Sequence, residues 1–201
     1  MNGGFDSTGT PLPGWDLNAP AGTTFNQTNI DIHFGASPTT ESFMARFAGS
    51  KAEASVSQIV ATVTGQEYHV QFDYGFSNIN PASNDQGPIN VVGGMRFTAG
   101  SEDENTSAPS YWAESYDAIS STSGQFVTYE FTFTAQTDTT KITFLDILEV
   151  TGNLNDGSGP MSSGHDADSF LDTVILTKVP EPSTSALTLL SSGLLLLRRQ
   201  R

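Results

Sequence analysis

Short apolar alternations at period two, set between turn clusters, run along most of this chain, and no stretch of its body carries a convincing helical periodicity. Successive side chains of a strand point to opposite faces, so a segment that alternates in this way buries one face and wets the other. Ser55-Val56-Ser57-Gln58-Ile59-Val60-Ala61-Thr62-Val63 reads as such a strand. Gly65-Gln66-Glu67 turns it, and Tyr68-His69-Val70-Gln71-Phe72-Asp73-Tyr74 returns with one apolar face. Phe126 to Phe133 alternates likewise, and Lys141 to Leu145 follows after Asp138-Thr139-Thr140. Shorter candidates are Phe43 to Phe47, Ile89 to Phe97, Tyr111 to Tyr116 and Phe170 to Leu176. Eight or more short strands of this kind predict an all-β chain, a β-sandwich and most simply a jelly roll. Residues 77–88 and 151–168, rich in Asn, Ser, Gly and Asp, are expected as long loops at the sandwich edges.

The chain has 201 residues, which suits one domain, or one domain plus an appendage. Hydrophobic residues make up only 36%, yet 13 Phe, 5 Tyr and 2 Trp supply the apolar area for one core. Of its 8 basic residues, Arg198, Arg199 and Arg201 lie at the very end; the rest of the chain sets 5 basic against 22 acidic side chains, a net of −17. A body of that sign is repelled by phosphate backbones, so nucleic-acid binding is excluded as a function class. With no cysteine, disulfides, thiolate metal sites and cysteine nucleophiles are excluded too. The carboxylates remain available to a hard divalent cation.

Composition divides the chain into a body, residues 1–178, and a tail, residues 179–201. Val179-Pro180-Glu181-Pro182-Ser183-Thr184 cannot continue a strand and reads as an extended linker. Ser185 to Leu197 is uncharged and holds seven leucines, which predicts a helix. At about 1.5 Å per residue it reaches roughly 20 Å, short of the ~30 Å hydrocarbon core of a bilayer. Arg198, Arg199 and Arg201 follow it and would hold that end on the cytoplasmic side. This order of parts resembles the PEP-CTERM sorting signal of bacterial surface proteins, with Pro180, Glu181 and Pro182 as the motif, then the hydrophobic helix and the arginine stop. The resemblance implies a membrane-tethered precursor that an exosortase cleaves and passes to the cell surface or extracellular matrix. Such a protein needs an export signal, and Met1-Asn2-Gly3-Gly4-Phe5 has neither its basic start nor its apolar stretch, so a truncated or misplaced start is expected.

The body resembles galactose-binding-like jelly rolls, among them carbohydrate-binding modules. The landmarks are Asn2-Gly3-Gly4-Phe5-Asp6 followed by Pro13-Gly14-Trp15, then Ser57-Gln58 leading through Gly65 to Tyr68-His69-Val70-Gln71-Phe72-Asp73 as a central hairpin, and Phe170-Leu171-Asp172-Thr173-Val174-Ile175-Leu176 as a closing strand. In those families a structural calcium often ties the first strand to the last. Carried onto this sequence, that nominates Asp6 and Asp172, with Asp6 standing where glutamate is usual.

Sugar recognition needs flat aromatic platforms and polar groups that fix hydroxyls. Tyr74, Arg96, Tyr111, Trp112 and Tyr116 are the candidates, whereas Trp15, in its Pro-Gly-Trp landmark, is expected in the core. Catalytic patterns are weak. Phe144-Leu145-Asp146-Ile147-Leu148-Glu149 looks like the carboxylate strand of jelly-roll glucanases, but Phe144 stands at the nucleophile's position, which reads as a coincidence in an edge strand. His33, His69 and His165 are scattered and no nucleophile elbow is present, while His165-Asp166-Ala167-Asp168 is expected as an exposed polar loop. The expectation is therefore a non-catalytic, polysaccharide-binding jelly roll on an exported chain. Its rivals are a structural matrix protein without a specific ligand and an unrecognised glycoside hydrolase.

Overall fold

The computed structural model describes residues 2–3, 14–18, 24–29, 43–48, 54–78, 90–102, 107–120, 122, 124–147, 149–151 and 167–180. They form twelve strands: β1 (Asn2–Gly3), β2 (Asp16–Asn18), β3 (Thr24–Asn29), β4 (Phe43–Ala48), β5 (Ser55–Ala61), β6 (Glu67–Asn78), β7 (Asn90–Gly100), β8 (Ala113–Ser120), β9 (Gln125–Thr134), β10 (Thr139–Asp146), β11 (Glu149–Thr151) and β12 (Ala167–Lys178). The first sheet runs β3-β4-β12-β6-β9, with β1 also on β12. The second runs β7-β10-β5-β2, with β11 and β8 also on β7. Strands β8 and β10 pair with the same stretch of β7, residues 95–100, so they flank it on opposite sides. All pairings are antiparallel, and the two sheets make a jelly-roll β-sandwich.

Alternation sets what each strand buries. On β6, Tyr68, Val70, Phe72, Tyr74 and Phe76 all face the core and are at most 8% exposed. Facing them from the second sheet are Met95, Phe97 and Ala99 of β7 and Ile142 and Phe144 of β10, all at 0%. The sheets meet through rings: Phe72 packs edge-on against Phe144 at 5.0 Å and tilts against Phe97 at 6.4 Å. Each such phenylalanine contributes about 1.5–3 kcal/mol by leaving water. Trp15 lies in this core as expected, 8% exposed and 6.1 Å from Phe144.

Two sequence readings are corrected here. The segments on either side of Gly65 form no hairpin: β5 pairs with β10 and β2, whereas β6 pairs with β12 and β9. The turn is a corner between sheets. Gly65 takes φ +80°, where a side chain would be strained, and donates its N–H to Ala135 O at 2.7 Å. The strand of Phe144 and Asp146 is likewise no edge strand, since β10 lies between β7 and β5. Both side chains point into the core, at 0% and 3% exposure, so no pair of carboxylates faces a cleft from this strand.

The strands also reach further than their patterns. β6 continues to Asn78, and β12 begins at Ala167. Asp168, expected in an exposed loop, is fully buried and bound by Arg46, whose Nη2 lies 2.6 Å from Oδ2. Near the end of the described residues Val179 N–H donates to Glu67 O and Gln66 Nε2 donates to Val179 O at 2.6 Å. Pro180 is exposed just beyond. Glu181, Pro182, the apolar segment of residues 185–197, and Arg198, Arg199 and Arg201 lie outside the described residues, as does Asp6. Among the described residues no helix is long and apolar enough to cross a membrane.

Candidate functional site: a groove on the outer face of the second sheet

Residues of opposite parity to the core face outward from the second sheet. Strand register sets them in rows: Ala113, Gly100, Lys141 and Ile59 in one, Ser115, Thr98, Thr143 and Ser57 in the next, and Asp117, Arg96, Leu145 and Ser55 in the third. Across the first two rows lies a depression of about 300 Å³, lined by Thr98, Gly100, Tyr111, Lys141, Thr143 and Leu145 among others. Gly100 makes its floor low, because a Cβ built there would come within 2.8 Å of the Trp112 carbonyl oxygen. Tyr111, 38% exposed, stands beside it as the wall. The segment carrying Tyr111 is pinned by Ser101, whose Oγ donates to Ser110 O and accepts from Trp112 N–H at 2.8 Å.

Bordering the groove in the third row, Arg96 and Asp117 form a bidentate pair: Nε donates to Oδ1 at 2.6 Å and Nη2 to Oδ2 at 2.9 Å. Both side chains remain about two-fifths exposed, 43% and 40%. The hydrogen bonds from Arg96 hold the Asp117 carboxyl below the usual carboxylate range, and Asp117 in turn pushes the guanidinium's titration up. In the second row Thr98 and Ser115 share a hydroxyl hydrogen bond of 2.9 Å. The surface thus offers one open ring, hydroxyls, an ammonium and a held ion pair over a small apolar floor.

The five ligand candidates separate. Tyr111 and Arg96 lie at or beside the groove. Tyr74 does not: it is fully buried, its hydroxyl is 3.2 Å from Ser169 Oγ, and burial pushes its phenol far up. Trp112 lines the groove, but its ring is buried, stacked on Phe133 at 6.3 Å with Nε1–H donated to Thr137 Oγ1. Both rings share the inward side with the other core aromatics, so neither presents an open face, but Trp112 borders the groove and Tyr74 does not. Tyr116 is half-buried between the sheets, stacked on Phe131 at 4.8 Å. Lys141, Thr98, Thr143, Gly100 and Asp117 were not singled out from the sequence. Their outward parity beside Ile142, Phe97 and Phe144 was the available signal.

On the outer face of the first sheet, Asp172 of β12 stands directly opposite Asp73 of β6. Both are buried, at 0% and 4%. Asp73 Oδ1 accepts from Thr128 Oγ1 at 2.5 Å, and Asp172 Oδ1 accepts from Thr173 N–H at 2.8 Å. Thr173 reaches that position with φ +49°, in the bulge that breaks the β12–β6 register. Both side chains offer hard oxygen donors of the kind calcium takes. Among the described residues no group of three or more acidic or histidine side chains is close enough to hold a metal.

No family model matches the chain, and no curated protein matches it in sequence. Solved structures do share its fold. The CBM22-1 xylan-binding domain of Paenibacillus barcinonensis Xyn10C matches with a TM-score of 0.53 at 11% identity, covering 90% of this chain and 94% of that one. The CBM22-2 xylan-binding domain of the same enzyme gives 0.52 at 11%, over 89% and 99%. The enzymatically active domain of bacteriophage CBA120 tailspike protein 4 gives 0.53 at 12%, over 88% of this chain but only 20% of that chain. The body therefore has the β-sandwich jelly-roll fold found in carbohydrate-binding modules.

Proposed function

We infer that the body is a non-catalytic module that binds a polysaccharide in the groove of the second sheet. The observation that carries this reading is the open Tyr111 ring beside a low Gly100 floor, with Thr98, Thr143 and Lys141 around it. A pyranose presents apolar C–H faces and a rim of hydroxyls, which a ring and flanking polar groups satisfy together. The fold shared with xylan-binding domains supports it. A calcium ion held by Asp172, with Asp6 and the opposed Asp73, completes the reading as a structural element that neutralises the facing carboxylates.

The Pro180-Glu181-Pro182 motif, the leucine-rich segment and the terminal arginines support an exported precursor. It is tethered in the membrane by its tail until an exosortase releases it to the cell surface or matrix. Binding of the full chain to a panel of polysaccharides tests the module. Saturable binding that Tyr111→Ala weakens by roughly tenfold is expected, since one stacked ring supplies on the order of 1–2 kcal/mol. Binding of no glycan by folded protein would leave a structural matrix role, and turnover of the bound glycan would make the body a hydrolase.

A further inference from the structure

We propose that the Arg96–Asp117 pair is a clamp for a vicinal diol, which restricts the ligand to glycans whose backbone units keep two adjacent ring hydroxyls free. The inference rests on the reading of the adjoining groove as a glycan site. Arg96 and Asp117 are direct cross-strand neighbours, and Arg96 is in turn opposite Leu145, which lines the groove. A ligand in the groove therefore meets the pair within one strand spacing, about 4.8 Å.

The chemistry of the pair is specific. A guanidinium carries five N–H donors, of which two are spent on Asp117, and each carboxylate oxygen keeps a lone pair after accepting one bond. Donors and acceptors thus stand side by side, fixed by two parallel hydrogen bonds and open to solvent over two-fifths of both side chains. A hydroxyl both donates and accepts. Two adjacent ring hydroxyls can give a proton to Asp117 and take one from Arg96 without disturbing the bond between the two residues. A single hydroxyl engages only half of the pair. An anionic group gains from Arg96 what it loses to Asp117, and it meets a body of net −16. An exposed ion pair contributes little to folding, so its rigid geometry on a sheet face is better matched to a ligand than to stability.

The clamp translates into a linkage rule. Pyranose chains joined through O4 keep O2 and O3 free on neighbouring carbons. Chains joined through O3 lose that pair and keep only the separated O2 and O4. The test is calorimetric titration of the full chain with matched hexasaccharides, O4-linked and O3-linked, of glucose, galactose, xylose and mannose. For at least one sugar the O4-linked form should bind roughly tenfold or more tightly, because a site built to hydrogen-bond a missing partner rejects the analogue strongly. Asp117→Asn and Arg96→Met should each lower that affinity about tenfold and close most of the gap between the O4-linked and O3-linked forms, because an O3-linked chain engages at most half of the pair. Arg96→Lys, which keeps the charge but loses the fork, should behave like Arg96→Met. Near-UV circular dichroism checks that each variant is folded. Equal affinity for both linkages, or variants that bind as the parent does, would overturn the clamp. If neither linkage of any sugar bound, the glycan reading itself would fall, and the clamp with it.

Discussion

Ser169 on β12 donates its hydroxyl proton to Asp146 on β10 at 2.8 Å, tying the two sheets together through the buried interior. Ser169 has one proton to give, so the Tyr74 hydroxyl, 3.2 Å from the same oxygen, is the donor in the second bond. All three residues are at most 3% exposed. Removing the central member leaves a buried carboxylate and a buried phenol each short of a partner. Ser169→Ala should therefore cost about 1–3 kcal/mol in urea unfolding, and Tyr74→Phe, which leaves Ser169 bound to Asp146, should cost less, about 1 kcal/mol.

Alkaline pH probes the same chain of bonds. Burial, the larger cause, and the nearby Asp146 carboxylate raise the Tyr74 titration above that of an unfolded tyrosine, although its bond with Ser169 opposes them. A raised folded pKa means that the stabilising contribution is complete below the unfolded value of about 10 and is lost as pH rises beyond it. The body should unfold progressively above about pH 10. Tyr74→Phe, which has no phenol to ionise, should show a shallower loss in a pH series of thermal melts.

Two tyrosines close the long edge of the sandwich in reciprocal fashion. Tyr116 of β8 directs its proton at Thr132 O of β9 (2.8 Å), and Tyr129 of β9 donates to Ile119 O of β8 (2.6 Å). The carbonyls they occupy lie on β9 and β8, which form the outer strands of their sheets on this side, where free backbone groups invite strand addition. Tyr116→Phe with Tyr129→Phe should lose about 2 kcal/mol in total, and light scattering on mild heating should show earlier association than in the parent.

At the acid end, Asp117 is the group to follow. Its pair with Arg96 lowers its folded pKa, so its contribution is present above the unfolded value and disappears as pH falls through the lowered one. The pair is exposed, so solvent screening keeps the effect on stability small. Carboxyl NMR titration should place Asp117 below the ordinary aspartate range in the parent and return it to that range in Arg96→Met.

Calcium gives a separate readout. If a cation neutralises Asp172 and Asp73, added calcium should raise the melting temperature and excess chelator should lower it, by several degrees for a stabilisation of about 1–2 kcal/mol. Asp172→Asn should abolish the difference. An identical melt in calcium and in chelator would remove the metal from the account.

Parity was the most legible feature of the sequence, and partner choice the least. Alternation along Tyr68 to Phe76 marks the core face of β6, and applied strictly it puts Tyr74 with Phe72 and Phe76, against its nomination as a sugar platform. Arg96, between Met95 and Phe97, is outward by the same rule. Alternation carries no information about which strand lies alongside, so β5 and β6 looked like a hairpin although they belong to opposite sheets. The groove is hidden in the sequence for that reason: Gly100 and Lys141 are far apart in the chain and meet only through the β7–β10 register, while the bonds of Ser101 to Ser110 and Trp112 bring Tyr111 alongside.

The position of β12 has a consequence for how the molecule comes into being. The last strand of the body is an interior member of its sheet, held by β4 on one side and by β6 on the other. Strand β6 finds one of its two neighbours only when residues 167–178 arrive, about a hundred positions later. Pairing at such separation is slow to nucleate. A chain emerging from its N-terminus, whether from a ribosome or through a membrane pore, cannot complete the first sheet until Lys178 is clear of the exit. Until then β4 and β6 each keep one interior edge unpaired, so the twelve-residue β12 is the strand that completes the first sheet.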